Sequence, residues 1–363
     1  MNALFRALSL AVAPLLLPFA CSGDSSSTSE TASETGSSEG PSSTSASAGE
    51  STSDSATTTA GSTSEATSDS ATEGTTSEGA TEGTTAGTTE TTTGGDGELI
   101  VGGDRPAKVY VPPGLDPKEP TPLVVLLHGY GASGEIQEFV FKLQPEAEAR
   151  RFLYVYPDGT YDAEGKRFWN ATNACCDFFG SQVDDVAYLS GLVAEIGEHY
   201  ALDPQRVFFL GHSNGGFMTH RMACERSELI AAGASLAGAV WSDPQECPAK
   251  APVSVLQIHG TADTTVLYEG GEFFPGYDYP GALTTTETWA AKNGCALTGA
   301  PGEALDLEWQ IGGAETSVER FETGCAPGGT AELWTIAGGA HVPALSEQFP
   351  VAVIDWLFDH PKP

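Results

Sequence analysis

The stretch Phe208-Phe209-Leu210-Gly211-His212-Ser213-Asn214-Gly215-Gly216-Phe217 decides how this chain reads. Val207 to Leu210 is an apolar run of the kind that forms a buried strand, and an amphipathic helical pattern begins at about Gly215. Between them lies Gly211-x-Ser213-x-Gly215, with strand before and helix after. A chain that reverses from strand to helix within so few residues brings backbone against backbone, which leaves no room for side chains at the two glycines. Such a turn pushes the Ser213 hydroxyl out of the sheet edge and aims a helix N-terminus at any negative charge that develops there. Ser213 is therefore the candidate nucleophile.

The rest of the globular region alternates strand and helix. Lys108 to Val111, Leu123 to Leu127, Phe152 to Tyr156, Ala231 to Leu236, Val253 to Ile258 and Glu332 to Ile336 read as strands, most of them apolar throughout, as in a parallel sheet covered on both faces. Helices are expected over Glu135 to Arg150, from about Val183 to Tyr200, from a Thr284-x-x-Glu287 capping box to Asn293, and over Val351 to Phe358. This order, with a nucleophile in the middle, is the plan of an α/β-hydrolase, a mostly parallel sheet with helices on both faces.

A serine needs a base to take its proton, and the base needs a carboxylate to fix its tautomer. In this plan the acid follows the strand after the nucleophile unit, where Val253 to Ile258 runs into His259-Gly260-Thr261-Ala262-Asp263. Asp263 is thus the candidate acid, with Asp243 and Asp278 as rivals in wetter loops. Of seven histidines, only His341 lies on a loop between the last strand and the last helix, so it is the candidate base. The backbone N–H groups of Asn214 and Tyr130 are the expected oxyanion donors.

Outside this region the chain changes character. Met1 to Ala20 carries one positive charge, Arg6, and an apolar core from Leu8 to Phe19, the pattern of an export signal. Cys21 follows at once, which marks a lipoprotein signal with Cys21 as the lipidated residue; simple cleavage and free secretion is the alternative. Ser22 after it lacks the Asp of inner-membrane retention, so an outer-membrane or cell-surface location is expected. Residues 21–98 are almost all Ser, Thr, Gly, Ala, Glu and Asp with neither Lys nor Arg, a composition that cannot form a core, so a tether whose ends lie about 50 Å apart is expected. Residues 99–363 form the expected hydrolase domain. The formal net charge of −33 excludes ordinary nucleic-acid binding, which relies on Lys and Arg to neutralise phosphates. Neither a dinucleotide-binding glycine motif nor a metal-ligand spacing occurs, so no cofactor or metal is expected.

Six cysteines remain beyond Cys21, an even number that in an exported chain reads as disulfides, with fifteen pairings open. The favoured scheme joins Cys295 to Cys325 across the stretch before the last strand and Cys224 to Cys247 behind the nucleophile helix. It leaves Cys175 and Cys176 as a vicinal pair.

Several motifs together resemble the polyhydroxybutyrate depolymerase and feruloyl esterase family of exported bacterial esterases. They are Leu126-Leu127-His128-Gly129, Trp169-Asn170-Ala171 with Cys175-Cys176, Val183-Asp184-Asp185-Val186 and Ser213-Asn214-Gly215-Gly216-Phe217-Met218. Ala223-Cys224-Glu225, His259-Gly260-Thr261-Ala262-Asp263, Asn293-Gly294-Cys295 and Gly338-Gly339-Ala340-His341 complete the series. The resemblance implies cofactor-free hydrolysis of carboxylic esters through an acyl-enzyme, with hydroxycinnamoyl (plant cell-wall) or short polyester substrates. It places the triad on Ser213, Asp263 and His341. One departure stands out: the family's Trp two residues after the base is Pro343 here. Phe273, Phe274 and Tyr277, in the loop after Asp263 that also holds Tyr279, are expected to supply an apolar platform instead, unless they serve only to anchor that loop. Trp169 is expected to line the cleft. Rival functions are an acetylxylan esterase or a peptidase of the same fold, and a non-catalytic surface binding protein on the same scaffold.

Overall fold

The chain divides into two units, residues 1–82 and 83–363, and the computed structural model describes residues 99–363. The export signal, Cys21 and the tether lie outside the described residues. The strands are β1 Leu99–Val101, β2 Ala107–Tyr110, β3 Thr121–Leu127, β4 Leu153–Val155, β5 Thr160–Tyr161, β6 Arg167–Phe168 and β7 Leu202–His212. They continue with β8 Ala232–Leu236, β9 Ser254–Gly260, β10 Gly270–Glu272, β11 Asp278–Pro280, β12 Ala300–Pro301, β13 Thr316–Phe321 and β14 Ala331–Ile336. The helices are α1 Gly134–Phe141, α2 Gln144–Arg150, α3 Asp185–His199, α4 Asn214–Glu225, α5 Ala282–Lys292 and α6 Gln348–Asp359.

Ten strands form one sheet in the order β1-β2-β4-β3-β7-β8-β9-β14-β13-β12. The run from β4 to β14 is parallel throughout. Antiparallel strands close both edges. Alternation of side chains along each central strand feeds two cores. Val124, Leu126, Phe208 and Leu210 pack with α1, α2 and α6 on one face. Leu123, Val125, Leu127, Val207 and Phe209 pack with α3, α4 and α5 on the other. Because the central strands are parallel, their C-terminal ends share one edge, and the segments after β3, β7, β9 and β14 meet there.

Several elements differ from expectation for local reasons. The single helix expected over Glu135 to Arg150 is two, because Lys142 adopts φ 55° and caps α1 by donating its N–H to Glu138 O. The expected capping box does not open α5. The chain leaves β11 at Pro280, so Gly281 is the N-cap, and the Thr286 and Thr288 hydroxyls instead donate to carbonyls one turn back. Gly294 does end the helix, with φ 73°. The edge strands β1 and β12, the neighbouring β13 and the hairpins β5–β6 and β10–β11 had no expectation. The three disulfides join Cys175 to Cys176, Cys224 to Cys247 and Cys295 to Cys325, the favoured scheme.

Candidate active site

Ser213 sits between β7 and α4 with φ 55° and ψ −121°, a backbone conformation that costs a non-glycine residue about 1–3 kcal/mol. It is held there by its own N–H donating to Leu236 O at 2.8 Å and by its carbonyl accepting from Phe217 N at 3.0 Å. The flanking glycines are required by close approach. A Cβ on Gly211 would lie 2.1 Å from Gly215 O, and one on Gly215 would lie 2.2 Å from Leu127 O.

The other two candidates converge on the serine. His341 Nε2 lies 2.9 Å from Ser213 Oγ, and His341 Nδ1 donates to Asp263 Oδ2 at 2.8 Å. This geometry fixes the tautomer, leaving Nε2 as acceptor for the serine proton. The rivals Asp243 and Asp278 lie elsewhere: Asp243 caps the short helical turn that follows it, and Asp278 opens β11. Asp263 is buried and fully engaged, its Oδ1 accepting from Thr265 N at 2.8 Å and Val266 N at 2.9 Å. Its Oδ2 lies 3.4 Å from His259 Nε2 as well. Burial alone would raise this carboxyl's pKa, but the hydrogen bonds from His259 and His341, the charge of a protonated His341 and the Thr265 N–H together hold it well below the usual carboxylate range. Asp263 is therefore ionised at neutral pH.

Three other histidines make structural hydrogen bonds around the site. His128 Nε2 accepts from Gly159 N and its Nδ1 donates to Gly129 O, both at 2.8 Å. His212 Nε2 donates to His341 O at 2.8 Å, which ties the base-bearing loop to the residue next to the nucleophile. His259 Nε2 donates to Val266 O at 2.8 Å and braces the acid's loop. The bracing roles of His212 and His259 could not be read from sequence, because both contacts span loops whose approach only the fold decides.

Burial holds His128, His212 and His220 neutral, each with its pKa pushed down from 6.5 to about 4. Their folded values lie below the unfolded value, so as pH falls from 6.5 the unfolded chain binds protons first. The stability these groups allow is complete above pH 6.5 and is lost down to about pH 4. Each histidine contributes a slope of up to about 1.4 kcal/mol per pH unit. Thermal unfolding followed from pH 8 to pH 4 should show a flat region and then a steep fall beginning near pH 6.5; a constant midpoint down to pH 5 would contradict it.

The turn that carries Gly129 and Tyr130 packs against Ser213: a Cβ on Gly129 would lie 3.4 Å from Ser213 Cβ. Neither Tyr130 N nor Asn214 N has a backbone acceptor among the described residues, so both N–H groups remain for a ligand. Their side chains are anchored. The Tyr130 hydroxyl donates to Asp162 Oδ2, and its ring packs edge-on against Phe178. The Asn214 amide pairs with the Trp169 backbone in both directions, accepting from Trp169 N at 2.7 Å and donating to Trp169 O at 2.9 Å.

This pairing corrects the expectation for Trp169. The side chain is wholly buried and its indole N–H donates to His128 O at 3.1 Å, so it supports the oxyanion turn from beneath and lines no cleft. Asn170 is likewise committed, its N–H donating to Asp185 Oδ2 and its amide to Val183 O. Phe273 is half-buried between Phe217, Tyr279 and Phe178, so the β10–β11 hairpin is anchored by its own rings. Phe274 and Tyr277 are exposed at its tip. Directly above Ser213 lies a cleft of about 210 Å³, bordered by Tyr130, Ile136, Val140, His212, His341 and Val342. Among the described residues no three His, Cys, Asp or Glu side chains gather as a metal site.

Residues 115–275 match the phospholipase/carboxylesterase family model. A solved acetyl xylan esterase from Aspergillus awamori superposes with a TM-score of 0.53 at 18% identity, over 72% of this chain and 98% of the other. The chain has the α/β-hydrolase fold. Its sequence relatives include "Putative esterase NocK" of Nocardia uniformis subsp. tsuyamanensis, 31% identical over 64% of each chain. Feruloyl esterase B of Piromyces equi is 28% identical over 64% of this chain and 42% of its own length. The chain thus spans less than two thirds of either relative. The resemblance to feruloyl esterases read from the motifs is borne out by these matches, which include further feruloyl esterases such as one from Emericella nidulans at 25% identity over 60% of this chain.

Proposed function

We propose that the domain hydrolyses carboxylic esters through an acyl-enzyme on Ser213. The observation that carries this reading is the hydrogen-bonded chain Ser213–His341–Asp263 on a strained strand-to-helix turn. Ser213 Oγ attacks the ester carbonyl while His341 Nε2 takes its proton; the N–H groups of Tyr130 and Asn214 hold the oxyanion. His341 then protonates the departing alcohol oxygen, leaving an ester on Ser213. Water, deprotonated by His341, attacks that ester, and the acid leaves as Ser213 recovers its proton. Asp263, ionised throughout, stabilises the imidazolium that forms in each half.

The names of the relatives support hydroxycinnamoyl esters as one substrate class, and short polyester oligomers are a second. Three disulfides support an oxidising compartment, hence export. Lipid attachment at Cys21, with residues 21–98 as the tether of the hydrolase domain, completes the proposed arrangement as an enzyme held at the cell surface. The test is turnover of p-nitrophenyl acetate and methyl ferulate by the purified protein, with fluorophosphonate labelling of Ser213. Turnover of either ester together with a labelled Ser213 peptide is the expected result. A protein that cleaves neither ester and takes no label is a binding protein on a hydrolase scaffold.

A further inference from the structure

The cleft above Ser213 is walled by aliphatic side chains. Ile136 and Val140 stand one turn apart on one face of α1, and Val342 follows the base directly. Ile136 and Val342 are 55% and 58% exposed, so two large aliphatic groups face water within the same cleft as the nucleophile and base. Their placement is firm. Ser133 caps α1 by accepting from Ile136 N, and Gly134 N donates to Asp158 Oδ1 at 2.9 Å. Gln137 Oε1 accepts from Gly129 N, joining the helix to the oxyanion turn.

The polar groups bordering this cleft are largely committed elsewhere. The Tyr130 hydroxyl goes to Asp162, the Gln137 amide oxygen to Gly129 N, and His212 Nε2 to the His341 carbonyl. Few side-chain donors or acceptors in this lining are left to recognise a ring hydroxyl, whereas a hydrocarbon chain needs no partner. The rings of the β10–β11 hairpin pack on Phe178 and on one another and do not line this cleft. At about 30 Å³ per water-sized group, a cleft of about 210 Å³ holds roughly seven methylene-sized groups.

Building on Ser213 as nucleophile, we propose that Ile136, Val140 and Val342 bind an unbranched aliphatic arm of the ester, up to about seven carbons, and that they set its chain-length preference. Acyl and alkyl arms share this chemistry, and two substrate series tell them apart.

The experiment uses the full chain with p-nitrophenyl esters from acetate to dodecanoate, and separately with alkyl acetates from methyl to decyl. In one series kcat/KM should climb by up to about fourfold per methylene to six or eight carbons, then fall. The series that climbs identifies the arm. Ile136→Ser and Val342→Ser alter exposed side chains and should leave the thermal unfolding midpoint within a few degrees of wild type. Each should lower the six-carbon to two-carbon ratio in that series by about tenfold, while Phe274→Ser leaves the ratio as it was. Flat profiles in both series, a ratio unmoved by both substitutions, or a ratio that collapses in Phe274→Ser would overturn the proposal. A protein that cleaves acetate without such a climb refutes this inference alone; one that cleaves nothing and takes no fluorophosphonate removes the esterase reading beneath it.

Discussion

Ser213→Ala should lower kcat on p-nitrophenyl acetate by about a million-fold, to the level set by binding and the oxyanion donors alone. His341→Ala should lose about as much, and the double variant little more, because serine and base act as one unit. Asp263→Asn tests the third member more finely. The amide can present its N–H to His341 Nδ1, which favours the tautomer with the proton on Nε2, facing Ser213 Oγ across 2.9 Å. A base that already carries a proton on that nitrogen cannot accept another, and the expected loss in kcat is about 10⁴-fold with KM nearly unchanged. A loss of only a few-fold would mean that a group other than Asp263 orients the base. Steady-state kinetics on the three single variants and on Ser213→Ala/His341→Ala decides the matter.

The convergence of the three candidate residues was legible because each sits at a place that local sequence marks. Ser213 lies between an apolar strand and a helix with glycines at both close approaches, and Asp263 and His341 each follow an apolar strand that ends in the same sheet edge. The elements that escaped notice lack such marks. β13 is Thr-Ser-Val-Glu-Arg-Phe, the strand next to the sheet edge and half open to water, and its alternation is diluted by charge. The break between α1 and α2, by contrast, was marked: it lies at a left-handed Lys142, and the signal for it was Pro145, which sits in the first turn of α2 and cannot continue a helix from α1. Trp169 misleads for a different reason. A tryptophan near a catalytic motif reads as a cleft wall, yet its indole N–H finds the His128 carbonyl inside the protein, and with that partner the ring can be buried completely. Whether a polar tip finds an internal acceptor is a property of the assembled fold and cannot be read from one segment.

Gly215→Ala should prevent the elbow from forming at all. The added methyl would sit 2.2 Å from Leu127 O, 2.5 Å from Leu127 C and 2.8 Å from His128 O, all backbone atoms at the end of β3 and the start of the oxyanion turn. None can rotate aside as a flexible side chain would, so relief requires α4 or β3 to move. Either shift separates Ser213 from the turn that carries Tyr130 N. The cost expected for overpacking against a rigid backbone is about 3–5 kcal/mol, a large share of a typical domain's stability. Gly211→Ala meets the same obstacle from the other side, at 2.1 Å from Gly215 O. Gly103→Ala, where no atom lies within 4 Å of the added methyl, separates crowding from backbone strain. Its φ of 54° is left-handed, so it should lose only about 1 kcal/mol. Guanidinium denaturation of the three variants measures this directly. If Gly215→Ala unfolds at the wild-type midpoint, the turn is looser than its backbone contacts require, and the tight strand-to-helix reversal on which the catalytic reading depends would have to be abandoned.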